Sequence, residues 1–199
     1  LFLGKYSFIF SVLCFLLFIN ACNMFDGINL QSSSYFIILI LYLIMIGIRS
    51  DLLNIILLSL ILIFILNRNG KIFMGDSGVY LLAFIFSYIF IKIYNFDNKL
   101  TSDSIFVLMM VPGIDMFRLF LIRILNKKNP FSPDRNHIHH LLLKRFSSIK
   151  TLAILNLLII FPIILILIHF SKFLIISIYI FLYLVLVIYL EKKLIKNGN

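Results

Sequence analysis

Residues 152–190 read LAILNLLIIFPIILILIHFSKFLIISIYIFLYLVLVIYL, and Lys172 is the only charged side chain among them. On each side of this lysine lies an apolar run of about 18 residues, which is long enough to cross a bilayer as an α-helix. Backbone polar groups in hydrocarbon must find partners within their own segment, so we expect two helices joined by a short turn. This stretch therefore predicts an all-α membrane protein.

The whole chain shares this composition. Of its 199 residues, 62% are hydrophobic and 13% are charged, and the mean hydropathy is +1.11. Soluble domains are about 45–50% apolar and about 25% charged. A chain of this size has too little interior to bury so much apolar surface, which excludes a soluble globular domain. The same composition excludes intrinsic disorder.

Seven apolar runs predict a polytopic transmembrane bundle of about seven spans, without an internal repeat. We treat residues 1–199 as a single integral-membrane domain. The second and third runs are short and closely joined, so they form either a spanning hairpin or a re-entrant pair. The runs cover residues 6–19, 35–48, 52–66, 78–94, 104–125, 152–170 and 173–190.

The Lys and Arg residues are unevenly divided between the two sets of loops. Twelve of the 18 lie in residues 20–34, 67–77, 123–150 and 191–199, five lie on the other side, and Arg118 lies within a span. Cytoplasmic loops carry the excess of Lys and Arg, so the first set is predicted to be cytoplasmic. The net charge of +10 thus sets topology, and we expect no nucleic-acid partner.

A first polar motif lies at residues 20–29, which read NACNMFDGIN. Asn23, Asp26 and Asn29 recur every three residues, so a helical turn would place them on one face. Their carboxylate and amide oxygens suit a hard cation or a nucleotide. The alternative is simple helix capping, for which Asn and Asp are common.

A second motif, NRNGKIFMGDSG at residues 67–78, leads directly into a predicted span. Asp76 would stand at or just before the helix start, between Gly75 and Gly78. Free backbone N–H groups at a helix start bind phosphate. A Mg²⁺ ion held by Asp76 could bridge to that phosphate. The alternative is that Asp76 and Ser77 only cap the helix.

A third polar region begins with PGIDMFR at residues 112–118, inside a predicted span. Asp115 and Arg118 are spaced to form an ion pair within the bundle, and a catalytic role is equally open. An ion path through a transporter or channel would also use such a pair. That hypothesis requires polar residues along several spans, whereas these spans are nearly all apolar.

The same region continues with NPFSPDRNHIHH at residues 129–140. The imidazoles of His137, His139 and His140 and the nearby guanidinium groups can donate to phosphate and sugar oxygens. A zinc site is the alternative, although the spacing is poor and no Cys is near. All three motifs lie on the predicted cytoplasmic face. This arrangement suits phosphoryl transfer from a charged soluble donor to a lipid acceptor.

These motifs resemble those of the polyprenyl-phosphate N-acetylhexosamine-1-phosphate transferases. Residues 20–28 are similar to the family's N-A-x-N-x-x-D-G, and residues 70–78 to its K-I-F-M-G-D-x-G. Residues 137–140 are similar to the H-[IL]-H-H box of its UDP-GlcNAc branch. The resemblance covers nearly the whole chain, with the motifs in the same order.

The resemblance implies an enzyme of the bacterial inner membrane with an active site that faces the cytoplasm. Polyprenyl phosphate would attack the β-phosphate of a UDP-N-acetylhexosamine, with Mg²⁺ or Mn²⁺ as cofactor. The products would be UMP and a polyprenyl-diphospho-sugar, the first membrane intermediate of a cell-surface glycan such as O-antigen. A homodimer is a possible assembly.

The resemblance also implies roles for individual residues. Asp26 and Asp76 would be the catalytic carboxylates and the metal ligands. The implied nucleotide- and donor-binding residues are Asn23, Asn29, Asn67, Phe73, Arg123, Asp134, His137, His139 and His140.

The chain departs from the family in two respects. Asn29 and Leu30 stand where the family has the second Asp-Gly of D-G-x-D-G, and Asn29 can hydrogen-bond to a ligand but carries no charge. No Asp-Asp pair occurs, although the family has one in its N-terminal spans. We therefore expect about four further spans before Leu1 and no activity from this segment alone. An inactive structural remnant is the remaining alternative.

Overall fold

The structure is a computed structural model that describes residues 6–97, 99–130, 132 and 136–197. Within these ranges it contains eight α-helices and no strand, which confirms the all-α prediction. The helices are α1 (Ser7–Phe25), α2 (Gln31–Met45), α3 (Asp51–Arg68), α4 (Gly75–Phe96), α5 (Ser102–Leu125), α6 (Ile138–Leu143), α7 (Ser148–Leu167) and α8 (Lys172–Asn197).

Six of the described helices are long and apolar enough to cross a membrane, namely α1, α3, α4, α5, α7 and α8. The apolar helix α2 has only 15 residues, which corresponds to about 22 Å. A typical hydrocarbon core is about 30 Å thick. The predicted polytopic bundle is confirmed, with α2 as the shortest of its long apolar helices.

The turn between α2 and α3 lies at the end of the bundle where α4 meets α5. Lys99 Nζ, in the α4–α5 loop, donates to Gly47 O at 3.0 Å. Since α4 and α5 are both long enough to span, this contact places the turn at the far end of the bundle. The geometry favours a spanning hairpin over a re-entrant pair.

Helix α2 is the most buried of the apolar helices. Ten of its residues are buried, and its Phe36 ring stacks on Phe86 of α4 with ring centroids 5.2 Å apart. The other helices expose large apolar side chains such as Leu58, Leu62 and Phe173. Because lipid is as apolar as these side chains, close packing and hydrogen bonds must hold the helices together.

Two prolines within helices each free one backbone carbonyl, because proline has no N–H to donate. Pro112 in α5 frees the carbonyl of Leu108, and Tyr35 OH from α2 donates to it at 3.0 Å. The same arrangement recurs in α7, where Tyr179 OH from α8 donates at 2.7 Å to the carbonyl four residues before Pro162. Tyrosines therefore satisfy both freed carbonyls across helix contacts.

The polar loops are shorter than the sequence predicts. Helix α1 continues to Phe25, so the first loop covers residues 26–30, and the second covers residues 69–74. The third polar segment contains the helix α6, which the hydropathy pattern does not show. The apolar runs mark only the hydrocarbon-facing part, whereas the helices continue through the polar interface.

Candidate active site

Asp26 ends α1 and is held in place by the start of α2. Its backbone N–H bonds to the carbonyls of Cys22 and Asn23 at the end of α1. The hydroxyl of Ser32 donates to Asp26 Oδ1 at 2.6 Å. The carboxylate is therefore oriented by two helices that meet in a tight turn.

The turn of residues 26–30 reverses the chain between α1 and α2. Gly27 N–H donates to Gln31 Oε1 at 3.4 Å. Leu30, just before α2, has a left-handed conformation with φ of +73°. A residue with a side chain is strained in this conformation by about 1–2 kcal/mol. Leu30 stands where the family motif has glycine, and the backbone conformation gives the physical reason for that glycine.

Asp76 lies in the first turn of α4, as the sequence predicts, and its side chain is exposed. Helix α4 begins at Gly75, which has a φ of +67°. The pKa of Asp26 is raised by burial and also by the nearby negative charge of Asp76, although the hydrogen bond from Ser32 opposes this shift. The two predicted catalytic carboxylates are thus close enough to interact.

A cavity of about 210 Å³ opens between the 26–30 turn and the α3–α4 loop. Four predicted site residues line it, and they come from two motifs that are distant in sequence: Asp26, Asn29, Asn67 and Phe73. Asn67 is buried, and its Oδ1 has no hydrogen-bond partner among the described residues. This wall therefore offers a carboxylate, amide groups and an aromatic ring to a ligand.

The oxygen atoms at this site suit a hard divalent cation. The carboxylates of Asp26 and Asp76 and the amide group of Asn67 offer oxygen atoms, and Mg²⁺ sites typically use one or two carboxylates plus substrate phosphates. Within the described ranges, no group of three or more His, Cys, Asp and Glu side chains is placed to hold a metal. The residues present thus fit a cation that shares its coordination with a bound phosphate.

The histidine motif packs against the turn that carries Asp26. His139, in α6, is buried, and its imidazole occupies the space that a side chain at Gly27 would fill. Its ring lies parallel to that of His137, with centroids 5.5 Å apart, and 4.2 Å from that of His140. Two rings stacked in this way do not converge on one point, which argues against the zinc alternative.

Burial lowers the pKa of His139 to about 3, and the neighbouring His140 and His137 contribute to the shift. The imidazole is therefore neutral at physiological pH. Neither of its ring nitrogens has a hydrogen-bond partner among the described residues. The predicted role of His139 and His140 in donor binding stays a prediction.

Asp115 is at the centre of a buried hydrogen-bonded cluster that sequence reasoning largely missed. Its carboxylate pairs with Arg118 Nη2 at 2.9 Å, which confirms the predicted ion pair. It also bonds to His137 Nδ1 at 2.8 Å, Tyr183 OH at 2.8 Å and the backbone N–H of Ile138 at 3.2 Å. The available signal was a lone Asp in an apolar span, which requires partners.

The same cluster bears on the ion-path hypothesis. Asp115 is only 2% exposed, and donors from α5, α6 and α8 surround its carboxylate. A carboxylate so enclosed does not line a path for ions.

Besides His139 and His140, three further predicted donor-binding residues lie outside the cavity wall that the structure describes. Asn23 is on α1, with its Oδ1 buried. Arg123 is buried at the end of α5, and its Nη1 donates to Pro130 O at 2.7 Å. His137 is engaged by Asp115. Asp134 falls outside the described residues. The donor-binding roles of these four residues stay predictions.

The chain is similar in sequence to known proteins over most of its length. Residues 2–94 match the family described as Glycosyl transferase family 4. An undecaprenyl-phosphate alpha-N-acetylglucosaminyl 1-phosphate transferase from Thermotoga maritima is 34% identical over 152 residues, which cover 74% of this chain and 47% of that protein.

A protein of the same name from Escherichia coli K12 is 32% identical over 95 residues, or 47% of this chain and 26% of that protein. The chain thus spans about half the length, or less, of these relatives. No solved structure matches the chain. The family match covers the cavity-lining motifs, and the longer alignment covers most of the chain, so over these residues the chain is similar to glycosyl transferase family 4.

Proposed function

We propose that the protein transfers N-acetylhexosamine-1-phosphate from a UDP-sugar to polyprenyl phosphate and releases UMP. One observation carries the proposal. Asp26 and Gly75, the residue directly before Asp76, line the same cavity, although the two aspartates belong to separate motifs. The relatives named above, which are undecaprenyl-phosphate sugar-phosphate transferases, support this choice of reaction.

The reaction needs a site that neutralises a diphosphate. Asp26 and Asp76, with the amide oxygen of Asn67, would hold Mg²⁺, and Mn²⁺ would also fit these ligands. A bound divalent cation would supply positive charge to the phosphate oxygens during transfer. The first turn of α4 adds backbone N–H groups that favour an anion at the same place.

The remaining cavity residues suit the nucleotide sugar. The amides of Asn29 and Asn67 can bond to sugar or base oxygens. The ring of Phe73 lines the cavity and remains 68% exposed, so it can stack on the uracil. These residues would hold the donor in position for in-line attack, and positioning supplies much of the rate in such reactions.

The transfer itself breaks one bond and forms one. An oxygen of polyprenyl phosphate bonds to the β-phosphorus of the donor, and the bond from that phosphorus to the bridging oxygen breaks. UMP leaves with the bridging oxygen and the electron pair. The acceptor is a lipid, so the cavity must lie where the bundle meets the bilayer surface.

The protein is a multi-pass membrane protein, and we place its site on the cytoplasmic face of a bacterial inner membrane. The uneven division of Lys and Arg supports this orientation. Because the chain covers only part of its relatives, the activity is proposed for the complete protein.

The test is an assay of the complete protein in membranes with radiolabelled UDP-GlcNAc and undecaprenyl phosphate. We expect labelled lipid and UMP to form together, only when a divalent cation is present. Other UDP-N-acetylhexosamines would serve as parallel donors. Failure of every such donor to label the lipid would contradict the proposal.

A further inference from the structure

We propose that Asp115 is a positioning residue: by holding the start of α6, it sets His139 against Gly27 and so fixes the turn that carries Asp26. The catalytic meaning of this inference rests on the proposed function. The mechanical coupling between Asp115 and the 26–30 turn is a property of the fold and can be measured without substrate.

The first step is the enclosure of Asp115. Its carboxylate accepts hydrogen bonds from Arg118 on the same helix, from Tyr183 on α8 and from the start of α6. An ionised carboxylate inside a membrane bundle is costly unless it is paired and hydrogen-bonded. Four donors hold this group in one position, so it is a fixed point for the elements bonded to it.

The second step is the dependence of α6 on this fixed point. Helix α6 has only six residues, and its N-cap residue His137 forms no side-chain capping bond of its own. A helix this short is not stable alone in water. Asp115 instead accepts the free N–H of Ile138 and bonds to His137 Nδ1. Helix α6 is thus capped by a carboxylate from α5.

The third step connects α6 to the cavity. His139 follows Ile138 directly, and its ring lies so close to Gly27 that even a methyl group there would overlap it. On the other side of the turn, Gln31 accepts the Gly27 N–H, and Ser32 bonds the Asp26 carboxylate. The turn is therefore held between α2 and the histidine.

These contacts connect the buried carboxylate of Asp115, through α6 and His139, to the turn that carries Asp26. If Asp115 loses its hold on α6, His139 is free to move away from Gly27, and the 26–30 turn loses one of its two supports. A displacement of about 1 Å in a catalytic group can cost about 10²-fold in rate.

The experiment is hydrogen exchange, followed by mass spectrometry, of the complete protein in lipid nanodiscs. Asp115→Asn keeps the shape of the side chain and removes its charge. We expect amide exchange in residues 136–143 and in residues 26–30 to become about tenfold faster or more, as for loss of a hydrogen bond to a charged group. Faster exchange in residues 136–143 without any change in the turn would overturn the proposal.

The decisive arm repeats the substitution in a His139→Ala background. If His139 is the connection, the turn is already loosened there, and Asp115→Asn then changes exchange only in residues 136–143. An equal response of the turn in both backgrounds would mean that Asp115 acts through general stability, and the positioning role would be wrong.

Two tyrosines one turn apart on α8 provide a matched control. Tyr183→Phe removes a donor to Asp115, whereas Tyr179→Phe removes a bond to the α7 backbone. We expect only Tyr183→Phe to speed exchange in residues 136–143 and 26–30. Tyr183→Phe keeps the Asp115 charge, so it carries the test if Asp115→Asn does not fold. Equal responses to the two substitutions would refute the proposal.

Activity separates this inference from the proposed function. In an active protein, Asp115→Asn should lower kcat more than it changes KM for the donor, and Tyr179→Phe should leave both near wild type. Unchanged kcat with a loosened turn would refute the catalytic part. If the coupling is present but the wild type transfers no sugar phosphate, the proposed function fails and the positioning of the turn stands.

Discussion

The turn between α1 and α2 makes separate demands on two of its residues. Gly27 must have no side chain because the His139 ring occupies that space. Leu30 must adopt a left-handed backbone with φ of +73°, which glycine adopts without strain. Position 27 is glycine, as the first requirement demands, whereas position 30 is leucine, which does not suit the second. Leu30 therefore introduces strain beside the candidate active site.

Replacing Leu30 should reveal this strain. Leu30→Gly and Leu30→Ala remove the same apolar contacts, but only glycine relieves the backbone. We expect Leu30→Gly to be more stable than Leu30→Ala by about 1–2 kcal/mol in thermal unfolding in detergent. Leu52, exposed in the first turn of α3, is the control site. There the alanine variant should be the more stable, by about 0.5–1 kcal/mol, and the same order at both sites would contradict the account.

His139 makes the protein sensitive to acid. Its pKa falls from 6.5 to about 3 in the folded state, so the unfolded chain binds the proton more tightly. The contribution of neutral His139 to the free energy of unfolding is complete above about pH 6.5. It is lost as the pH falls below that value, by up to about 1.4 kcal/mol per pH unit.

Between about pH 6.5 and about pH 5, the free energy of unfolding should therefore change less with pH for His139→Ala than for the wild type. Ile138→Val is the control, because Ile138 is buried in the same short helix and does not titrate. This substitution removes apolar volume without removing a titrating group, so it should keep the wild-type slope. Parallel curves for the wild type and His139→Ala would show that His139 is not buried as described.

At the scale of elements, the sequence predicts the number of membrane-spanning helices but not the residues at which the helices end. Hydropathy identifies about seven spans, because each must match the bilayer. Residues 20–25, which belong to the first polar motif, nevertheless continue α1, and the six-residue α6 leaves no hydropathy signal. Helix α6 exists because Asp115 caps it from another helix, and that contact joins residues far apart in sequence. Motif spacing indicated Asp26 and Asn29, and the resemblance to the family added Asn67 and Phe73. Neither indicated the Asp115–Tyr183 bond.

The proline–tyrosine arrangement predicts a specific coupling. Tyr35→Phe leaves the Leu108 carbonyl without its donor, which should cost about 1–3 kcal/mol because this carbonyl is buried. Pro112→Ala restores the helical N–H, so the same tyrosine substitution should cost less in that background. Unfolding of the wild type, both single variants and the double variant measures this difference. An equal cost in both backgrounds would exclude the coupling.

For the whole molecule, the arrangement of helices gathers the three polar motifs at one end of the bundle. The opposite end is held by lysine contacts, such as Lys99 with Gly47 and Lys172 with Thr101. The distribution of Lys and Arg predicts which end faces the cytoplasm, because positive loops remain inside.

Cysteine labelling in intact cells tests this orientation. In a background without Cys14 and Cys22, Asp97→Cys should react with an impermeant maleimide from outside, because it lies in the exposed α4–α5 loop. Asn69→Cys, exposed at the end of α3, should react only after permeabilisation. Labelling of both cysteines from outside would contradict the predicted topology.

The most direct test of the central claim compares two aspartates in equivalent local positions. Asp76 and Asp103 both lie exposed in the first turn of a helix. Only Asp76 is next to a residue that lines the cavity, namely Gly75. A role limited to the helix dipole would give both Asn substitutions the same small effect, about 0.3–1 kcal/mol in stability. The measurement is divalent-cation-dependent transfer of labelled sugar phosphate to undecaprenyl phosphate by the complete protein. We predict a loss of at least about 10²-fold for Asp76→Asn and near wild-type transfer for Asp103→Asn. Near wild-type transfer by Asp76→Asn would contradict the account.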